Sequence, residues 1–174
     1  MRQPRSPELN QQIIDLTLAL GSALSKWQEV EGNVFLLFAS LARGGSVPNP
    51  CTVVYETLIH FEHKIAATDA LFKFRVSDTA LVEQWGTLLN RTRRKTKIRN
   101  KIAHWRIWTD SDDTARPPFL AQHLHRRSTD IKDFGKSSSG AMFAADLYDH
   151  ARGFAELAND LDAFRRGFLQ TKPS

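Results

Sequence analysis

Residues 6–45 read SPELNQQIIDLTLALGSALSKWQEVEGNVFLLFASLARGG, and this stretch decides the fold. Apolar side chains recur at Leu9, Ile13, Leu16, Leu20, Ala23, Trp27, Val30, Val34, Leu37 and Leu41. The intervals alternate four and three throughout. An a/d pattern of that length marks a long helix in a bundle or coiled coil. Ser6 followed by Pro7 reads as N-cap and first helical residue, and Gly44-Gly45 ends the run. Gly21 and Gly32 interrupt it, each costing about 1 kcal/mol against alanine. One of them is expected to mark a kink or a close helix contact.

The same periodicity continues downstream. Asn49-Pro50 opens a second helix with inner positions Val54, Leu58, Phe61, Ile65, Thr68, Phe72 and Val76. Ser77 or Asp78 caps a third, whose inner face is Leu81, Trp85, Leu88, Leu89, Thr92, Ile98 and Ile102, ending near His104 or Trp105. The last helix is expected from about Ala144 to Leu169, along Leu147, Ala151, Phe154, Leu157, Leu161, Phe164 and Phe168. Between the third and last helices lies an irregular insert, about 106–140. Asp110 to Pro118 is a loop, because Pro117-Pro118 cannot sit inside a helix. The segments Trp105–Thr109 and Phe119–Leu124 are predicted to form a small hairpin, and Asp133 to Gly140 is a polar connection. No two-residue alternation persists anywhere, so a β-rich fold is excluded. Short links between helices favour antiparallel neighbours. The expected fold is all-α, an up-and-down four- to five-helix bundle with the insert before the last long helix, forming a single domain over 1–174.

With 174 residues, 41% of them hydrophobic and 25% charged, the chain has the balance of an ordinary globule. The longest stretch free of charge and proline, Gly32 to Ala42, falls far short of the ~20 apolar residues that a membrane span needs. Acids at Glu8 and Asp15 stand where a signal peptide needs an apolar core, so secretion is not expected. A lone cysteine, Cys51, rules out an intrachain disulfide and fits a reducing, cytoplasmic setting. The charge is uneven. Arg91, Arg93, Arg94, Lys95, Lys97, Arg99, Lys101 and Arg106 follow one another with no acid between them. These eight turn the chain from −3 to its net +5. Such a concentrated run either forms a solvated face or attracts phosphates.

Most familiar constellations of chemistry are missing: there is no Gly-rich phosphate loop, no HExxH and no GxSxG. His60 and His63 share a helix face, but nothing nearby completes a metal site, so they read as solvated or packing residues. His123 and His125 in the insert are equally weak. Cys51 lies in a first helical turn without a base beside it and reads as a small packing residue. No cofactor is implied.

Arg99-Asn100-Lys101-Ile102-Ala103-His104 closes the basic helix. An arginine five positions before a histidine is common by chance among 15 arginines and six histidines, whereas an asparagine directly after that arginine makes the pattern rare. Arg-Asn-x-x-x-His at the end of the third helix of a helical bundle resembles the HEPN superfamily (higher eukaryotes and prokaryotes nucleotide-binding domains). The resemblance extends from Trp27 to Phe164, although the motif alone is distinctive. It implies a homodimeric, metal-independent endoribonuclease with a toxin or antiviral role and a cognate antitoxin. It equally implies the family's other form, a non-catalytic helical dimer that binds a nucleotide or a partner protein. Arg99, Asn100 and His104 are the residues that carry over.

The chemistry suits them. Metal-free RNA cleavage uses the ribose 2′-OH as nucleophile and needs a base, an acid for the 5′-oxygen and a cation for the phosphorane. His104 can serve as base or acid, Arg99 offers a planar fork for phosphate, and Asn100 can orient the imidazole or the ribose. One motif histidine per chain cannot supply both proton transfers, so a twofold dimer with a composite site is expected. Arg93, Arg94, Lys95, Lys97 and Lys101 are the candidate RNA contacts. On an ideal helix Arg99 and His104 stand about 140° apart, while Asn100 and His104 share a face. The competing reading makes Asn100 and His104 a helix cap with Arg99 solvated. Glu31 and Lys64 read as snorkelling charges beside the apolar stripes rather than cleft residues. Trp105 and Trp108 either stack on bases or pack against the insert.

Overall fold

A computed structural model of the chain describes residues 6–42, 50–109, 117–122 and 141–170. Among them are five helices and one small hairpin, an all-α helical bundle. The helices are α1 (Pro7–Leu41), α2 (Pro50–Glu56), α3 (Phe61–Arg75), α4 (Thr79–His104) and α5 (Ala144–Gln170). Strands β1 (Arg106–Trp108) and β2 (Phe119–Ala121) pair antiparallel, Ile107 opposite Leu120. Leu120 also exchanges two backbone hydrogen bonds with Met142, just ahead of α5. The hairpin therefore forms where the sequence places it, within the insert. No described helix is long and apolar enough to cross a membrane.

The described residues group into two compact units. One draws on Met1–Ser25 and Ile98–Arg152, the other on Lys26–Lys97 and Gly153–Ser174, so α1, α4 and α5 each contribute to both. In the first unit Leu16, Ala19, Ala23, Ile102, Leu147 and Ala151 are buried, along with all three residues of β2. In the second the core is aromatic. Trp27 meets Phe61 and Phe154 edge-on, with ring centres 5.1 and 5.2 Å apart. Phe72 lies 5.5 Å from Trp85, 5.7 Å from Phe164 and 5.8 Å from Phe168. Such pairs add directional attraction to the burial of large rings. In this second unit the Trp27 indole N–H donates to Glu31 and that of Trp85 to Asp69 at 3.0 Å.

Helix signals in the sequence act as expected. The Ser6 hydroxyl accepts from Leu9 N at 3.2 Å, and Asp78 Oδ1 accepts from Ala80 N at 2.8 Å and Leu81 N at 3.2 Å. These caps satisfy N–H groups that the first helical turn leaves orphaned. The α5 stripe from Leu147 to Phe168 is buried at all seven predicted positions.

Three details differ from the sequence reading. Gly21 and Gly32 mark neither a break nor a close contact: α1 runs unbroken through both, and a Cβ at either would meet nothing within 4 Å. The expected second helix is two helices. Thr57 N and Thr57 Oγ1 both donate to Val54 O, at 3.1 and 2.6 Å, and Leu58 N donates to Tyr55 O, so three-residue turns close α2. Its inward residues are consequently Thr52 and Tyr55, while Val54 is 63% exposed. Cys51 is exposed rather than packed. Finally, Thr96 joins the inner face of α4, its hydroxyl donating to Thr92 O at 2.9 Å, which satisfies the hydroxyl without a distant partner.

Candidate functional site

Helix α4 positions the motif. Its inward stripe runs Trp85, Leu89, Thr92 and Thr96, buried at each position, and the next step of three reaches Arg99. Arg99 is accordingly half-buried, with its Nε enclosed, and Ile102 continues the buried side. Asn100 and His104, four residues apart, are both exposed. The divergence expected from helical geometry is thus realised as a split between an inward arginine and an outward Asn/His pair. Arg99 Nη1 reaches across to the other side and donates to Asn100 Oδ1 at 3.3 Å.

His104 is the last residue of α4, where the helix dipole and a basic neighbour, Lys101, meet. Trp105 N donates to Lys101 O at 2.9 Å and closes the helix. The Lys101 ammonium stands 5.6 Å from the centre of the half-buried Trp105 ring, a cation–π contact. Arg106 opens β1 and is exposed; Trp108, two residues on, is half-buried.

Earlier on α4, in the second unit, the candidate RNA contacts separate into two kinds. Arg93, Arg94 and Lys97 are exposed and line a surface cleft with Thr87 and Asn90. Lys95 instead lies back against α5, its ammonium 5.8 Å from the centre of the Phe154 ring. Arg91 forms an ion pair with Asp160 of α5. Sequence reasoning missed Thr87 and Asn90. Their spacing from Arg94 and Lys97, at intervals of three and four, was the available signal.

The remaining candidates have local structural roles. Glu31 accepts from the Trp27 indole. The Lys64 ammonium is 3.5 Å from Glu56 and 5.3 Å from the Tyr55 ring centre. His60 and His63 face each other edge-on at 5.5 Å, exposed at the start of α3. Among the described residues no group of three or more His, Cys, Asp or Glu side chains is arranged to hold a metal. His123 and His125 lie outside the described residues. Burial pushes the Tyr55 phenol well above its ordinary value, partly offset by the Thr68 hydroxyl. Compared with protein families, curated proteins and solved structures, the chain matches none.

Proposed function

We propose that this protein is a metal-independent endoribonuclease of HEPN type, cleaving RNA by attack of the ribose 2′-OH. One observation carries the proposal: Asn100 and His104 are exposed together at the end of a helix whose residues from Arg91 onward include seven cations and no acid. An exposed imidazole among cations is accessible to an RNA phosphate and can exchange a proton with the 2′-OH or the 5′-oxygen. Asn100 stands one turn away to orient it, and Arg99 reaches Asn100 from the other side. The second proton transfer is assigned to His104 of a second copy in a homodimer. A toxin or antiviral role, with a cognate antitoxin as partner, belongs to this same reading.

A second reading is favoured by the half-burial of Arg99. An arginine on the inward stripe serves stability as well as chemistry, as it would in a non-catalytic helical dimer that binds a partner protein or a nucleotide. Incubating purified protein with labelled RNA in EDTA separates the two. Cleavage leaving 2′,3′-cyclic phosphate ends, lost in His104→Ala with the fold intact, is the expected result. No cleavage of any RNA would leave the binding module.

A further inference from the structure

Two clefts meet at Thr87 on α4. The first, of about 520 Å3, is lined by Thr87, Asn90, Arg93, Arg94 and Lys97. Positions 87, 90, 94 and 97 follow one helix face and span about 15 Å at 1.5 Å per residue. All five side chains are exposed. Among the described residues, none of the three cations takes part in an ion pair. Three uncompensated cations within five positions repel one another, and an anionic ligand relieves that repulsion. Asn90 and Thr87 extend the row with neutral hydrogen-bonding groups.

The second cleft, of about 480 Å3, has the opposite character. Leu81 and Leu88 of α4 and Phe164 and Phe168 of α5 form its walls, with Gln84 and Asp160 the polar groups. The Asp160 carboxylate, already paired with Arg91, repels phosphate from this groove but can accept from a neutral amino edge. A nucleotide carries both chemistries in one unit: an anionic phosphate, and a flat base with an apolar face and a hydrogen-bonding edge.

We infer that the two clefts joined at Thr87 bind a strand of nucleic acid together, its phosphates on Arg93, Arg94 and Lys97 and one of its bases in the apolar groove beside them. Lys95 takes no part, because it is held over Phe154. The inference rests on RNA being the ligand and is independent of cleavage at His104.

The test measures binding of a labelled RNA strand of about 12 nucleotides, within the range of single-strand sites, and of an abasic strand of equal length. The full-length His104→Ala chain is used so that nothing is cut. The normal strand should bind about tenfold more tightly than the abasic one, the range of one base stacked on apolar side chains. Replacing Arg93, Arg94 and Lys97 with alanine should weaken both strands and lower the salt slope by about 2, from about 0.7 per phosphate contact. Gly167 borders the groove, and a Cβ there meets nothing within 4 Å. Gly167→Leu therefore fills the groove without displacing the core. It should abolish the advantage of the normal strand and leave the salt slope unchanged. Equal binding of the two strands by the parent chain, an unchanged slope in the triple variant, or an undiminished advantage in Gly167→Leu would overturn the inference. RNA cleavage by the wild-type chain is scored separately. Binding as described without cleavage removes the nuclease and keeps this site. Cleavage with no dependence on the three cations removes the site and keeps the nuclease.

Discussion

The Lys95 ammonium occupies the space where a side chain on residue 153 would begin, 5.8 Å from the centre of the Phe154 ring. Glycine at 153 is what lets the lysine stem lie flat against α5. A cation over an aromatic face contributes about 0.5–1 kcal/mol when exposed and up to about 2 when desolvated. Half-burial of Lys95 puts it between those limits.

Gly153→Ala should therefore push the Lys95 ammonium off the ring, but alanine gains about 1 kcal/mol over glycine inside α5, so its net change in urea unfolding should be near zero, whereas Lys95→Ala should cost about 1 kcal/mol. The far end of a lysine moves easily, so no larger penalty is expected. In the Lys95→Ala background the same Gly153→Ala change should stabilise by about 1 kcal/mol, because the contact is already gone and only the helix gain remains. Lys95→Ala should leave the salt dependence of RNA binding untouched, unlike Arg94→Ala. A slope that falls equally in both variants would return Lys95 to the RNA surface.

Gly21 and Gly32 lie in the exposed middle of α1 with open space around them. Alanine at either position lowers the backbone entropy of the unfolded chain and meets no clash. Each substitution should stabilise by up to about 1 kcal/mol, additively, since the two sites are eleven residues apart along α1. Thermal melts of the singles and the double would check this. A destabilised variant would point to a partner packing closely on that face.

Tyr55 gives the fold an alkaline limit. Burial raises its phenol well above the ordinary value. The folded state thus keeps the proton while the unfolded chain releases it near pH 10. The resulting stability is fully present below about pH 10 and is lost progressively as pH rises above it. Tyr55→Phe should flatten the fall in unfolding midpoint above about pH 10 relative to wild type. An identical alkaline profile in the two proteins would assign the loss to other groups.

Legibility in the sequence followed the physics of each signal. The heptads of α1 and the α5 stripe were readable because long amphipathic helices repeat their signal many times, and the Ser6 and Asp78 caps because short polar side chains before a helix have few other uses. The end of α2 was not readable. Val54, Leu58 and Phe61 keep helical spacing across it, and only the bonds returning from Thr57 and Leu58 reveal the turn. Thr96 was missed because its polarity hides its burial; the hydroxyl is satisfied within its own helix. At the candidate site, the shared face of Asn100 and His104 followed from their four-residue spacing, although spacing alone does not say that this face points outward. The half-burial of Arg99 is not legible in the same way, because the apolar pattern steps from Thr92 to Ile98 and passes Arg99 by. The separation of Lys95 from Arg93, Arg94 and Lys97 depends on a glycine in another helix, which no local pattern encodes.

Under the proposed cleavage, one motif histidine per chain would leave either the base or the acid unsupplied, and a second copy related by twofold symmetry would supply it most simply. His104 is exposed and therefore available to a cleft shared with its symmetry mate. In such a dimer both approaching segments would be basic and would repel until phosphate binds, so the free dimer would rest on apolar contacts elsewhere. Exposed Ile14 and Leu18, one turn apart on α1, offer such surface. A dimer at micromolar concentration is expected by light scattering. His104→Ala should be inactive and fully folded. Arg99→Ala should be inactive and also less stable, because it empties a half-buried position, whereas Arg99→Lys should recover part of that stability without the planar fork. Adding excess His104→Ala chains to wild-type chains should lower cleavage with the square of the wild-type fraction, because a mixed dimer holds only one of the two histidines that the shared site needs. A fall only in proportion to the wild-type fraction, with exchange of subunits demonstrated, would show that each chain works alone. A monomer at micromolar concentration would remove the composite site and leave Asn100 and His104 as the cap of α4.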